Sequence, residues 1–493
     1  MTGEYFSSPV FLYKTFYNNQ KNSCNYNYKV LKYKRMDIYT FKVKYHQMFK
    51  EDILVSNLTV KDTQARKRLT ALFDDGVFTE IDAFAKSANG EIEAAAGFGS
   101  VNGTCVYAFS QDVTADSGAI SVAQCAKLKK VYDLAAKTGC PIVGIYDSNG
   151  LKLTEGFEAL NSYGEILKAS TSVSGVVPQI SIIAGACLGT TALMANMADA
   201  VVAVKDADFY ITAPSDVTAA DCAKAGTVDV LVNDFDEAAQ KVRDLISLLP
   251  SNNLDAVPVF EFAAPETYAD ENSDAMAVIC AAADADSVFE IKKEYAENCV
   301  TALGTVMGST VGFISYDGDN LCPNCSYKAE AFIKLCDAYN IPIITFVNAN
   351  GLKKEKENQM LVAATKLTSA LAAATCPKIS VVTGSAVGTA YIALAGRGAN
   401  ADIVYAWDTA VLSPLEVDSA VAFLYNDRLA AGESREALAN EYKENLASPF
   451  TAAACGAVDD VFVPVETRAK LISALDMLAG KREATLPRKH SVK

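Results

Sequence analysis

Histidine is nearly absent. The 493 residues contain two, His46 and His490, one towards each end. That argues against a central Ser-His-Asp triad, a Cys-His pair or a His-ligated zinc, so any chemistry here must work without imidazole. Long apolar runs are also missing, and no stretch of about 18 uncharged apolar residues offers a membrane span. The nearest approach, 180–204, is interrupted by Gly185, Gly189, Asn196 and Asp199. It reads as strand, turn, buried helix and second strand. Basic residues are outnumbered, 44 Lys and Arg against 59 Asp and Glu, for a net charge of −15. This argues against a nucleic-acid partner, which needs clustered cations. No Gly-x-x-x-x-Gly-Lys-Ser/Thr loop occurs, which argues that any ATP chemistry lies elsewhere.

Alanine is absent from residues 1–55, although the rest of the chain is rich in it. This leader holds 8 of the 22 tyrosines and carries a net +5, against −20 for the remainder. It lacks the apolar segment of a signal peptide and reads as a disordered extension, or as upstream sequence ahead of a start at Met36 or Met48. The thirteen cysteines read as buried reduced thiols in apolar runs such as Ile279-Cys280-Ala281. A lone Cys322-Pro323-Asn324-Cys325 reads as a surface loop, with a redox or metal role as the lesser alternative, because a zinc ribbon needs two such pairs.

What the chain does have is itself twice. Gly99-Ser100-Val101-Asn102-Gly103 recurs as Gly304-Thr305-Val306-Met307-Gly308, 205 residues on. Asp147-Ser148-Asn149-Gly150-Leu151-Lys152 recurs as Asn348-Ala349-Asn350-Gly351-Leu352-Lys353, 201 on. Gly185-Ala186-Cys187-Leu188-Gly189-Thr190 recurs as Gly384-Ser385-Ala386-Val387-Gly388-Thr389, 199 on, and Ala213-Pro214 as Ser413-Pro414, 200 on. Punctuation in register at a nearly constant offset implies two homologous α/β domains, at 56–250 and 287–493, joined by a linker and helix at 251–286.

Each half carries two elements of chemical interest. One is an apolar strand running into an Asn-Gly turn, at Gly150 and at Gly351. The other is strand, glycines and an apolar helix, through Gly185 and Gly189 and through Gly384 and Gly388. Such turns expose backbone N–H groups, and a helix start presents unpaired donors. One donor from each element would make an oxyanion hole, worth about 2.7–4 kcal/mol per donor. Tight turns and close helix-strand packing explain the same glycines equally well.

The punctuated segments resemble the carboxyltransferase subunits of biotin-dependent acyl-CoA carboxylases and decarboxylases, of the propionyl-CoA carboxylase β chain and methylmalonyl-CoA decarboxylase α subunit type. Phe109-Ser110-Gln111-Asp112, Ser174-Gly175-Val176-Val177-Pro178-Gln179-Ile180-Ser181, Phe332-Ile333-Lys334-Leu335-Cys336-Asp337, Gly456-Ala457-Val458-Asp459-Asp460-Val461 and Pro487-Arg488-Lys489-His490 carry the likeness in order. The resemblance implies two tandem crotonase-like domains, with acyl-CoA on the first and biotin, carried on a separate protein, on the second. It implies no metal and CO2 transfer between biotin and the acyl α-carbon. Two oxyanion holes follow, one from amides at Gly150, Leu151, Thr190 and Thr191, the other from Gly351, Leu352, Thr389 and Ala390, with Gly185, Gly189, Gly384 and Gly388 lining the cofactor sites. It implies a biotin carboxyl carrier protein, a biotin carboxylase or a membrane decarboxylase subunit as partners, a homo-oligomer, and a cytoplasmic place, peripheral to a membrane complex in the second case. The alternatives are the α subunit of a sodium-pumping decarboxylase and a catalytically degenerate scaffold. Thr190 and Thr389 stand where the family has a second glycine, and their N–H groups serve only if φ is negative. Lys152 stands where the family has arginine.

Overall fold

A computed structural model describes residues 63–484, except 317 and 319, together with Leu486. The leader at 1–55, both histidines and the motif at 487–490 lie outside the described residues. The described residues form one compact unit.

The first half runs α1 (Gln64–Leu72), β1 (Phe78–Glu80), β2 (Ala94–Val101), β3 (Thr104–Gln111), α2 (Val122–Thr138), β4 (Ile142–Ser148), α3 (Gly156–Val173), β5 (Gln179–Leu188) and α4 (Thr190–Ala195). It continues through β6 (Ala200–Val204), β7 (Phe209–Tyr210), α5 (Ala219–Lys224), β8 (Val230–Val232) and α6 (Phe235–Leu248). The second half runs α7 (Ala275–Ala282), β9 (Phe289–Ile291), β10 (Cys299–Val306), β11 (Ser309–Tyr316), α8 (Pro323–Ala338), β12 (Ile343–Ala349), α9 (Glu357–Ala373), β13 (Lys378–Val387) and α10 (Thr389–Leu394). Then come β14 (Ile403–Trp407), β15 (Val411–Ser413), α11 (Val417–Leu424), α12 (Asn426–Ala430), α13 (Arg435–Asn445), α14 (Pro449–Ala454), β16 (Asp460–Phe462) and α15 (Thr467–Leu478).

The two sheets are the same sheet. Their orders are β1-β2-β3-β4-β5-β6-β8 with β7 on β5, and β9-β10-β11-β12-β13-β14-β16 with β15 on β13. Each opens with an antiparallel hairpin and continues in parallel. Period-two alternation sorts the strand residues. Val143 and Ile145 join a core that runs through both halves, whereas Ile142 and Tyr146 join one confined to the first. Likewise Ile343 and Val347 face the common core, and Ile344 and Phe346 a core of the second half. Tyr339 also donates across the halves to Asp199 at 2.7 Å. After β15 the repeat offset grows to 230, as β8 and β16 show, because α11–α13 intervene. These helices surround a small core of their own at Ala420, Val421, Leu438 and Tyr442.

A second duplicated device is built on the first repeated segment, although its carboxylate and arginine partners were not visible as a motif. Asn102-Gly103 and Met307-Gly308 turn the β2-β3 and β10-β11 hairpins with positive φ at both positions, as a tight hairpin needs. Asp74 accepts from the N–H groups of Asn102 and Gly103 at 3.0 and 3.1 Å. Asp284 accepts from those of Met307 and Gly308 at 3.1 and 2.8 Å. Behind each carboxylate sits an arginine from the last helix: Arg243 reaches Leu72 O and Asp74, and Arg468 reaches Ala282 O and Asp284. The lock ties the hairpin, the first helix and the last helix of each half together.

The two locks differ in burial, and this sets their worth. The Asp284 side chain is 1% exposed and that of Asp74 28%. Asp284→Ala is expected to destabilise by about 3–5 kcal/mol, as for a broken buried pair. Asp74→Ala is expected to cost about 1 kcal/mol or less. Burial pushes the Asp284 carboxyl up, but hydrogen bonds from Thr305 and Arg468 outweigh it and hold it below the usual carboxylate range. Its contribution is therefore full above about pH 4 and is lost as pH falls through the lowered value. Denaturant midpoints of the two variants across acid pH check both statements.

Candidate active site: paired turns at the sheet ends

In each half the two elements singled out by the repeats lie side by side. β4 pairs with β5 in parallel up to Tyr146↔Ile183 and then shifts to Ser148↔Cys187. One residue, Asp147, thus faces three, Ala184, Gly185 and Ala186. β12 and β13 do the same, Val347↔Val382 giving way to Ala349↔Ala386, so Asn348 faces Thr383, Gly384 and Ser385. Beyond the bulge the strand changes neighbours. Ile180–Ile183 pair with β6, but Cys187 and Leu188 pair with β7, and β13 switches from β14 to β15 in the same way. Bulges bend and twist the strand that carries them, so the end of β5 is aimed away from the sheet.

The polar side chain at the bulge explains the glycine opposite it. A methyl group added at Gly185 would overlap the Asp147 carboxylate, and one at Gly384 the Asn348 carboxamide. Asn348 Oδ1 accepts from Ser385 N–H at 3.0 Å. Asp147 is charged, and its counter-ion is Arg68 from α1, at 2.7 Å, with both side chains under 10% exposed. The amide in the second half needs no counter-charge. Gly185 and Gly384, expected in turns lining a cofactor site, are therefore inside strands, and the side where a Cβ would stand is filled by the protein's own side chain.

Past the bulges come the two turns. Ile120 N–H donates to Gly150 O at 2.8 Å and Lys152 N–H to Ile120 O at 3.0 Å. Leu321 and the Gly351–Lys353 turn repeat this at 2.9 and 3.1 Å. In these bridges the N–H of the middle residue, Leu151 or Leu352, points away from its partner strand and takes no acceptor among the described residues. Beside each turn Gly189 and Gly388 cap α4 and α10 with φ/ψ of 64/−131° and 56/−127°, a region open only to glycine. Neither helix has a side-chain cap. The N–H groups of Thr190 and Thr191, and of Thr389 and Ala390, likewise take no acceptor among the described residues. Neither Thr190 nor Thr389 has positive φ, so the exchange of glycine for threonine leaves both donors in place. Of the eight residues expected to supply amides, Leu151, Thr190 and Thr191 match Leu352, Thr389 and Ala390, but Gly150 does not serve as expected, because its N–H donates to Ser148 Oγ at 3.1 Å. The edges of Gly150 and β5 nearly touch: a Cβ on Gly150 would lie 3.4 Å from Leu188 O.

Sequence reasoning named Thr191 and Lys152 but missed the residues that hold them, Tyr163, Glu93 and Asp116, and missed Arg68. Thr191 is fully buried and its hydroxyl shares a 2.6 Å hydrogen bond with Tyr163 of α3, pinning the start of α4. Lys152, 4% exposed, binds Glu93 at 2.9 Å and Asp116 at 2.7 Å. Burial pulls its ammonium down, but the two carboxylates outweigh that and hold it above the usual lysine value. It braces the first turn from behind. The repeated position of Asp147 and Asn348 was a readable signal; Arg68 and Glu93 gave none.

The thiols need correction. Among the twelve described cysteines six are buried, but Cys280, read as buried, is exposed. Cys322-Pro323-Asn324-Cys325 is not a surface loop. It is the N-cap and first turn of α8, with Cys325 buried. Among the described residues no helix is long and apolar enough to cross a membrane.

Two like halves, each ending in a bulged strand pair that leaves main-chain donors open at its edge, are the architecture of a tandem crotonase-like carboxyltransferase. The chain belongs to the carboxyl transferase family, whose domain matches residues 61–492. It is 34% identical over 472 residues to the methylmalonyl-CoA decarboxylase subunit alpha of Veillonella parvula, covering 86% of this chain and 92% of that one. It is 35% identical over 487 residues to the propionyl-CoA carboxylase beta chain of Saccharopolyspora erythraea, covering 86% and 89%. The crystal structure of transcarboxylase 12S, a hexamer with hydrolysed methylmalonyl-coenzyme A bound, superposes with a TM-score of 0.82 at 30% identity, over 92% of this chain and 98% of that one. The fold and family expected from the repeated motifs hold.

If the bulge depends on bare glycine, Gly185→Ala is expected to lower stability by about 1–3 kcal/mol through overpacking. Gly164→Ala, in α3 with open space around it, is expected to raise it by up to about 1 kcal/mol. Unfolding midpoints of the two variants provide the comparison.

Proposed function

We propose that this carboxyltransferase moves a carboxyl group between biotin on a separate carrier protein and an acyl-CoA of the propionyl/methylmalonyl class. We assign acyl-CoA to the domain at 56–250 and biotin to that at 287–493, with 251–286 as the link. The observation that carries the reading is the duplicate set of open donors, Leu151 with Thr190 and Thr191, and Leu352 with Thr389 and Ala390. Two carbonyl-type oxygens must gain negative charge in such a transfer, the thioester oxygen and the ureido oxygen. Each would find two or more N–H groups already aimed and needing no reorganisation. When bound, biotin supplies the carboxyl group and the nitrogen that carries it.

The residues fit that role on chemical grounds. Main-chain N–H groups are donors without a titrating proton, so they polarise an oxygen without competing as acids. The first helix residues add the positive end of a helix dipole. The Lys152 ammonium is committed to Glu93 and Asp116, so it acts by bracing the turn.

Exposed apolar side chains occur in both halves. Leu153 and Phe157 are each 85% exposed beside the first turn, and Leu361 and Phe423 are 70% and 80% exposed in the second half. Apolar surface of this kind supports a homo-oligomer. A biotin carrier and a biotin carboxylase or a membrane decarboxylase subunit complete the proposed complex, and which of the last two is present sets the direction of transfer.

Proline at the first helical position is tolerated structurally while deleting one N–H. Thr190→Pro and Thr389→Pro are therefore expected to keep the fold and to lower carboxyl transfer from methylmalonyl-CoA to biotin by roughly 10²–10³-fold in kcat. Thr190→Ala and Thr389→Ala are expected to stay near the parent rate, because the side chain is not the donor. Equal activity in the proline and alanine variants would remove the backbone-donor mechanism.

A further inference from the structure

The duplication supplies a reference for every residue of the second half, and one exchange stands out against it. The helix after the hairpin begins with Ser121 in the first half and with Cys322 in the second. Ser121 Oγ accepts from Gln124 N–H at 3.1 Å, a normal N-cap, and bonds to Glu93. Cys322 holds the same capping position and its sulfur accepts from Cys325 N–H at 3.2 Å. Both polar residues of the first half, at cap and third helical position, are thiols in the second. The two sulfurs lie 2.9 Å apart, sharing a hydrogen bond. Cys322 is half-buried and Cys325 buried, so an outside reagent meets Cys322 first.

The chemistry of the two thiols is already divided. The hydrogen bond from the Cys325 thiol holds the Cys322 sulfur below its ordinary pKa. Burial opposes this, and the N–H groups of Cys325 and Asn324 and the Lys353 charge add to it. Cys325, donating that bond and buried, is pushed up. One nucleophilic thiolate and one resolving thiol at a helix start is the arrangement that favours thiol–disulfide exchange. Position gives the pair a route to the site. Leu321, the residue before Cys322, is the one clamped to Gly351 O and Lys353 N–H, so a shift of the cap bears directly on the turn that presents Leu352 N–H.

We propose that Cys322 and Cys325 form a redox-active dithiol whose closure to a disulfide alters the second donor turn and slows carboxyl transfer. The consequence for transfer rests on the function proposed above; the disulfide and its effect on the turn do not. The oxidant is a small-molecule disulfide. The Cys322 thiolate attacks one of its sulfurs and expels one thiolate. Cys325 then gives its proton to that thiolate, and its sulfur displaces the second thiolate from Cys322, which takes a proton from solvent. The protein dithiol loses two electrons and two protons, and the small disulfide becomes two thiols. Closure takes the Cys322 sulfur into a covalent bond and removes the thiolate that caps α8.

The test treats the full reduced chain with oxidised glutathione and blocks remaining thiols with a maleimide. Peptide mass then reads the bond, hydrogen exchange reads the turn at 349–354, and turnover with methylmalonyl-CoA and biotin reads the rate. The expected result is a peptide containing both residues, unblocked and lighter by two hydrogens, with faster exchange in 349–354. Turnover is expected to fall roughly five-fold, the factor lost with one helix cap, and to return with dithiothreitol. Cys322→Ser, which restores the cap of the first half, is expected to be insensitive to the oxidant, whereas Cys325→Ser, which keeps the attacking thiolate but lacks the resolving thiol, is expected to stop at a mixed disulfide of Cys322 with glutathione. Blocked thiols at both positions would overturn the proposal, as would a disulfide that leaves exchange at 349–354 unchanged. A disulfide with altered exchange in a chain whose reduced form has no turnover would count against the proposed function and leave the dithiol standing. Altered exchange with unchanged turnover in an active chain would overturn the control of rate.

Discussion

The structure depends on one local constraint: a polar side chain laid across a strand that has no Cβ to receive it. Asp147 over Gly185, and Asn348 over Gly384, force one residue to face three. That mismatch is what turns the ends of β5 and β13 away from β6 and β14. Without it the strands would continue in register, and the turns at Gly150 and Gly351 would not stand next to the starts of α4 and α10. The donor groups are thus a product of strand geometry, held by packing that no ligand has to supply.

The halves share this geometry and differ in how they support it. The first uses charge: Arg68 on Asp147, and Lys152 between Glu93 and Asp116. The second uses a neutral amide at the bulge and thiols at the helix cap. A buried charge needs its partner, whereas an amide is satisfied by a neighbouring N–H. The same backbone therefore tolerates quite different side-chain solutions, provided the glycine opposite the bulge is kept.

Much of this was legible because it is written in punctuation. Glycine and asparagine at a fixed offset marked both turns, and the family motifs around them led to the tandem fold and the carboxyltransferase class. The hairpin locks were not legible. Asp74, Arg243, Asp284 and Arg468 are spread across each half at offsets of 210 and 225, outside the narrow range of the visible repeats. Arg68 and Glu93 reach the first turn from sequence distances of 79 and 59 residues, and no local pattern announces such a contact. The end of β5 was misjudged because Gly185 reads as a breaker, when its role is to leave room. The CxxC segment was misread because a helix beginning at Pro323 has too little amphipathic signal in its first turn to outweigh the turn-forming look of Pro-Asn.

The helices α11–α13 are present in one half only. They build their own small core and are tied to the sheet where Tyr442 shares a 2.9 Å hydrogen bond with Ser413, at the end of β15. An annex with a core of its own can change in length or surface while the sheet beneath it stays as it is. A chain made of two like lobes presents the same open donors twice, so the lobes are told apart by what surrounds them. A one-sided annex beside the strand that leads into Gly388 breaks that symmetry while leaving the donors themselves untouched.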